Sequence, residues 1–299
     1  MTMPTLSALQ HRLAQLAEQK NEPLTLAIIE QLKQQSYQGA LSAPLVQQFC
    51  QQFSLSKIEL GLGCVPIAAC YALTPVSHFC VGAVAIGLSG SFYFGANQEF
   101  AGIAMQQTVH AEQSAISHAW LAGEGAISDM VVNCTPCGHC RQFMNELNTA
   151  TTLQIHLPHR QHNTLQQYLI DAFGPKDLNI ANVLFDQQHI VLPLQGDALV
   201  QATIKEAQQA YAPYSQAVSA VALQVGEQII CGRYAENAAF NPSLLPLQSA
   251  LNYRRFLGLS DVAVSRVVMV EKRAVLSHYH MSKALAETAL GLTLEYIAV

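Results

Sequence analysis

Positive charge is scarce in this chain. Lys and Arg together number 15 in 299 residues, and all charged residues make up 12%. They nowhere cluster, which excludes the phosphate-tracking surface that polymer binding depends on; a small ligand is expected, and no nucleic acid polymer. No run of about 18 uninterrupted apolar residues occurs, so no membrane span is expected. The opening residues MTMPTLSALQHRLAQL lack the basic, apolar, small-residue order of a secretory leader. A soluble cytoplasmic protein is expected. Disulfides are not: Cys50, Cys64, Cys70, Cys80 and Cys231 are isolated in apolar surroundings, where Cys behaves as a small hydrophobe. Only Cys134, Cys137 and Cys140 cluster.

That cluster, Pro136-Cys137-Gly138-His139-Cys140, follows His110-Ala111-Glu112 by about two dozen residues. One imidazole and a Cys-x-x-Cys pair fill three of the four tetrahedral positions of zinc and leave the fourth for water, whose pKa the ion draws towards neutrality. Glu112 lies two residues from His110, close enough to reach that water without being a ligand, which is the place of a proton shuttle. His-x-Glu followed by Pro-Cys-x-x-Cys is the known signature of zinc-dependent base deaminases. Cys134 leaves a second reading open, since a fourth thiolate would close the site and make it purely structural. Of His110, His139, His156, His159 and His162, only His110 is assigned as a ligand.

Along the chain, Leu6, Leu9, Leu13 and Leu16 form one helical stripe and Leu26, Ile29 and Leu32 another, separated by Asn21-Glu22-Pro23. Ser56 and Glu59 offer a capping box for a helix that Pro66 should kink. Phe79 to Leu88 reads as a strand, Ser89-Gly90 as a hairpin turn and Ser91 to Phe94 as the return strand. Asn97 and Glu99 then stand at a strand end, placed to bond a sugar hydroxyl, or else forming an Asx turn with an exposed Glu. A helix through Ala115, Ile116, Ala119 and Trp120 stops at Gly123 to Gly125, and Ile127 to Asn133 is a strand. Pro136 suits the first turn of a helix with Cys137 and Cys140 on one face, so that helix N-termini favour the thiolates and the carboxylate. Thr151 to His156 is a further strand, and residues 159–190 read as a linker with a short helix near Leu165 to Phe173. Alternating strands and helices imply a sheet with helices packed on it.

The last third repeats the middle. Ser219-Ala220-Val221-Ala222 resembles Gly82-Ala83-Val84-Ala85, GRYAENAAF (232–240) resembles FGANQEF (94–100), and Leu247-Gln248-Ser249-Ala250-Leu251 resembles Glu112-Gln113-Ser114-Ala115-Ile116. In that register Leu245 stands opposite His110 and Leu247 opposite Glu112, so the second copy keeps the fold and loses the metal. Val262 to Val270 reads as a strand and Met281 to Leu290 as a final helix. The expected divisions are a helical module (1–55), a zinc domain (56–158), a linker (159–190) and a degenerate domain (191–299).

TPVSHFCVGA (74–83), YFGANQEF (93–100), HAEQSA (110–115), TPCGHCRQF (135–143) and AFGPKDL (172–178) together resemble the cytidine deaminase family, in its long two-domain bacterial form. The resemblance covers nearly the whole chain. It implies a duplicated three-layer α-β-α deaminase fold, a mixed sheet with helices on both faces, preceded by the small helical module. It also implies one zinc per chain on His110, Cys137 and Cys140, with Glu112 as proton donor and acceptor. Asn97 and Glu99 match the ribose-recognition positions and Phe79 an aromatic that packs on the pyrimidine; Gln98 and Ala111 complete the expected substrate contacts. The implied reaction is hydrolytic deamination of cytidine and 2'-deoxycytidine by hydroxide attack at C4, a step of pyrimidine salvage. The implied assembly is a homodimer with each site near the partner's second domain. The metal motif alone also admits deaminases of other bases or of nucleotides, and a non-enzymatic structural-zinc protein; against a nucleotide, the charge of Glu99 would repel phosphate.

Overall fold

The computed structural model describes residues 5–193 and 195–299. Helix α1 (Leu6–Lys20) is capped by the Thr5 side chain, α2 (Pro23–Gln34) opens on proline, and strand β1 (Ala40–Leu41) leads into α3 (Ala43–Phe53). Leu9 and Leu13 are buried as the periodicity predicts, but Leu26 is 41% exposed. The buried face of α2 is instead Thr25, Ile28, Ile29 and Leu32, spaced i, i+3, i+4, i+7 from the residue before Leu26. These side chains close over α4 (Lys57–Ala69), and each fully buried Leu or Ile contributes about 1.5–3 kcal/mol. The capping box forms: Glu59 N donates to Ser56 Oγ at 3.2 Å and Ser56 N to Glu59 Oε2 at 2.8 Å. Pro66 sits inside α4, which continues to Ala69 as one helix.

The first sheet contains β2 (Gly82–Gly87), β3 (Phe92–Ala96), β4 (Ile127–Val132), β5 (Gln154–Leu157) and β6 (Arg160–Thr164) as well as β1. Helix α5 (Ala111–Leu121) follows β3, and α6 (Gly138–Met144) connects β4 to β5. The strand order is β1-β3-β2-β4-β5-β6, parallel only at β4/β5. Val84 and Ile86 point to α4 and the N-terminal helices, Ala83 and Ala85 to α5 and α6. The sheet is thus the middle of three layers. Three expectations change. Residues 79–81 precede the strand, and Phe79 lies in a loop, 58% exposed. Pro136 stands outside α6, because Cys137 is its N-cap. The expected linker holds β6, α7 (Leu165–Tyr168) and a 3-10 turn at Pro175–Leu178; the polar run RQHNT pairs with β5 as an edge strand.

The second sheet repeats the first. Helix α8 (Ala198–Ala207) precedes β7 (Ser219–Val225) and β8 (Gln228–Arg233); α9 (Pro246–Phe256), β9 (Val264–Glu271), α10 (Tyr279–Leu290) and β10 (Glu295–Ala298) follow. Its order, β8-β7-β9-β10, with only β9/β10 parallel, matches β3-β2-β4-β5. The expected register of the first repeat is one residue off. Ala83 pairs with Gly95 and Val221 with Gly232, and both glycines lie under the following helix, so Ala83 corresponds to Val221, not Ala220. A one-residue slip exchanges the faces of a strand, and Val221 and Leu223 indeed pack with α9 as Ala83 and Ala85 pack with α5.

The two halves meet along α5 and α9 through polar groups. Ser117 Oγ and Ser249 Oγ lie 3.1 Å apart, and Asn252 Oδ1 accepts from Gln98 Nε2 (2.6 Å) and Ser114 Oγ (2.5 Å). Asn252 Nδ2 donates to Ser114 O at 2.9 Å. All five side chains are buried, so each bond replaces one to water and fixes the register of the halves.

Candidate active site

His110 is the N-cap of α5 and Cys137 the N-cap of α6, so two helix N-termini converge on one point, as the spacing predicts. What brings α5 so close to the sheet is Gly95: a Cβ there would stand 2.2 Å from Ala115 N and 2.3 Å from Ala111 O. His110 Nδ1 lies 3.4 Å from Cys137 Sγ, and Cys137 Sγ lies 3.7 Å from Cys140 Sγ. The donor atoms of these three residues all fall within 4.8 Å of one another. Zinc bonds of about 2.0–2.1 Å to nitrogen and about 2.3 Å to sulfur at tetrahedral angles need N–S and S–S separations of roughly 3.6 and 3.8 Å. The residues fit the ion. Neither Glu112 nor Cys134 belongs to that group, so the site has three protein ligands and an open position, as a catalytic zinc site requires.

The thiols divide one proton between them. The hydrogen bond between Cys137 and Cys140 draws Cys137 down to about 3, helped by His110, and pushes Cys140 well up. A divalent cation takes both as thiolates. Burial pulls the His110 pKa down, but the hydrogen bond and charge of Cys137 outweigh it and leave it raised. Glu112 is 5% exposed and lies 3.2 Å from Cys140 Sγ through Oε2; burial raises its pKa.

The expected substrate residues divide into two groups. Asn97 Oδ1 accepts from Val81 N at 2.9 Å and Nδ2 donates to Phe79 O at 2.9 Å. Glu99 Oε2 accepts from Val76 N (3.0 Å) and Ser77 N (2.9 Å), and the Ser77 hydroxyl donates to its other oxygen. Both therefore clamp the loop that carries Phe79. Burial works against ionisation of Glu99, yet these donors hold its pKa below the usual range. Gln98, between them, points the other way: it is fully buried and its amide donates to Asn252. Ala111 is buried in the first turn of α5. The second half repeats the clamp, with Glu236 accepting from Tyr214 N (2.8 Å) and Ser215 N (3.0 Å), so this clasp belongs to the fold.

Two residues at the site lie inside the motifs without an expected role. The His139 ring stacks on that of His110, centroids 4.4 Å apart and planes 17° apart, and its Nε2 donates to Gln113 Oε1 at 2.9 Å. Gln113 also accepts from His110 N (3.4 Å) and donates to Pro242 O (2.7 Å) in the second half. Burial, then the nearby His110, lowers the His139 pKa to about 4. In the second half Leu245 and Leu247 occupy the places of His110 and Glu112, both as expected.

A duplicated α/β fold with a His/Cys/Cys centre and an adjacent buried carboxylate defines the class of zinc-dependent deaminases. Residues 57–155 and 165–283 match two family models, both described as the cytidine and deoxycytidylate deaminase zinc-binding region. A cytidine deaminase of Actinobacillus pleuropneumoniae is 67% identical over 99% of this chain and 100% of its own length. One of Mannheimia succiniciproducens is 65% identical over 96% and 97%, and one of Haemophilus influenzae 51% identical over 94% and 97%. The chain belongs to the cytidine deaminase family, in its long two-domain bacterial form, and carries one zinc site, His110, Cys137 and Cys140.

Proposed function

We propose that the chain hydrolyses the exocyclic amine of free cytidine and 2'-deoxycytidine, giving uridine and 2'-deoxyuridine and releasing ammonia, a reaction of pyrimidine salvage. The carrying observation is the Glu112 carboxylate, buried and 3.2 Å from a sulfur of the three-residue metal group. Zinc held by that group supplies the activation of water towards hydroxide. Glu112 takes the proton released as water attacks C4 and delivers it to ring N3; it then takes the proton of the new C4 hydroxyl and gives it to the amine, so that the C–N bond breaks, ammonia leaves and the C4 carbonyl forms. It must pass through both protonation states in one turnover, and a pKa raised by burial brings it nearer the working pH.

On this reading Asn97 and Glu99 meet the ribose hydroxyls from the ends of their loop clamp, Phe79 packs on the pyrimidine and Ala111 borders the base. A carboxylate held ionised at the sugar end disfavours a phosphate, which favours nucleosides over nucleotides. Parallel assays of ammonia release from cytidine, 2'-deoxycytidine, CMP and adenosine test it: turnover of the first two alone is expected, and turnover of CMP would overturn the role of Glu99.

The same reading divides the chain into a helical module (1–55), a zinc domain (56–158), a connecting segment (159–190) that adds the edge strand β6 to the zinc domain's sheet, and a degenerate domain (191–299), and makes the assembly a homodimer. Exposed Val76, Phe79, Phe173 and Phe240 support the dimer as apolar surface suited to a second copy. Light scattering after size exclusion decides it. All eight cysteines are unpaired, and no helix among the described residues is long and apolar enough to cross a membrane; both accord with a cytoplasmic location.

A further inference from the structure

We infer that His139 is a positioning residue for the metal ligand His110, and that through Gln113 it ties the metal centre to the second domain. This rests on His110, Cys137 and Cys140 holding zinc. A histidine that binds a metal through one ring nitrogen usually has its plane fixed by a hydrogen bond at the other. His110 turns Nδ1 to Cys137, and its one ring neighbour among the described residues is His139, stacked at 4.4 Å and 17°. Stacking fixes the plane of the imidazole while leaving it free to slide towards the ion.

His139 is itself held. Its Nε2 donates to Gln113 Oε1 (2.9 Å), so the neutral ring keeps its proton there. Gln113 takes the His110 backbone N–H on the same oxygen and reaches Pro242 O with its amide (2.7 Å). Ring and backbone of the metal ligand are thus held from one anchor, whose far end is in the degenerate half.

That half supplies an internal control. Gln248 caps Leu245 N (2.7 Å) and crosses to Gln106 O (3.3 Å), as Gln113 crosses to Pro242. His280 follows the first residue of α10 as His139 follows that of α6. Yet His280 is exposed, and among the described residues its only aromatic neighbour is the adjacent Tyr279. The glutamine clasp therefore belongs to the fold, whereas the stacked histidine accompanies the metal ligand.

The test uses the full-length holoenzyme and its cobalt(II)-substituted form, comparing wild type, His139→Ala and His139→Phe. Zinc transfer to a chromogenic chelator, the cobalt ligand-field bands, kcat and KM are read for each. His139→Ala should release zinc about 10- to 100-fold faster, with shifted cobalt bands and a loss in kcat larger than any change in KM. His139→Phe keeps a ring face against His110 but loses the bond to Gln113, so it should fall between His139→Ala and wild type on every readout. It also preserves volume, so it decides the matter even if the alanine variant does not fold. Wild-type release and spectrum in His139→Ala, or a phenylalanine variant as damaged as alanine, overturns the inference. A wild-type chain that takes up no zinc would overturn the metal-site reading itself.

Discussion

Replacing Gly95 by alanine should cost the enzyme its rate more than its fold. The added Cβ would lie 2.2 Å from Ala115 N, 2.3 Å from Ala111 O and 2.6 Å from Ala115 Cβ, where ordinary contact begins at 3.4 Å. Two of these are helix backbone atoms, so rotamer changes cannot relieve them. The first turn of α5, with His110 and Glu112, must retreat by about 1 Å. Overpacking of this kind typically costs about 1–3 kcal/mol of stability. Misplacing reacting groups by about 1 Å costs roughly a hundredfold in rate. Gly232→Ala is the matched control, because its Cβ would stand 2.1 Å from Ala250 N and 2.6 Å from Pro246 O in the half without a metal. Urea midpoints should fall by similar amounts in both variants. In folded protein, kcat should fall at least about tenfold further in Gly95→Ala than in Gly232→Ala. If Gly95→Ala keeps kcat within about twofold of wild type, α5 does not hold the chemistry in the way argued.

Glu112→Gln should retain one zinc per chain and lose about 10²–10⁴ in kcat; an unchanged rate would remove the shuttle role. Cys134→Ala should keep both zinc and turnover, since Cys134 stands outside the metal group, and loss of zinc would make it a ligand. Stability should fall in acid because of His118. Burial, opposed by its bond to Phe94 O, holds its pKa at about 4 against an ordinary 6.5, so below the ordinary value the unfolded chain takes up a proton that the folded chain refuses. This contribution is intact above about pH 6.5 and declines by roughly 3 kcal/mol as pH falls towards about 4. Urea midpoints compared at about pH 7.5 and about pH 5 should shift less in His118→Gln than in wild type, and equal shifts would refute the assignment.

The metal group was legible because its chemistry dictates spacing: two thiolates three residues apart at a helix start, and an imidazole at the start of another. Helix starts were legible for the same local reason, Ser56 with Glu59 being the clearest case. What stayed hidden needed the third dimension. GAVAIG is apolar throughout because both faces of β2 are covered, so no polar phase marks its register, and the repeat was set one residue out. RQHNT has no apolar alternation to betray an edge strand. His139 is one residue from Cys140 in sequence, but only the convergence of α5 and α6 lays its ring on His110. Gln98 stands between Asn97 and Glu99 in sequence, and only the fold turns its side chain to Asn252.

The seam between α5 and α9 governs how far either half is free to drift. A metal ligand and the carboxylate beside it can be absent from one side alone, as Leu245 and Leu247 show, since a leucine there asks nothing of the other half. Asn252 has no such latitude. Its loss would strand Gln98 Nε2 in a buried interface, at about 1–3 kcal/mol, and take from the Ser114 hydroxyl the acceptor of its proton, leaving it only the bond from Ala96 N. Any change at that position has to be answered across the seam. The duplicated half can therefore forget its chemistry, yet it must go on inheriting its shape in step with the half that works.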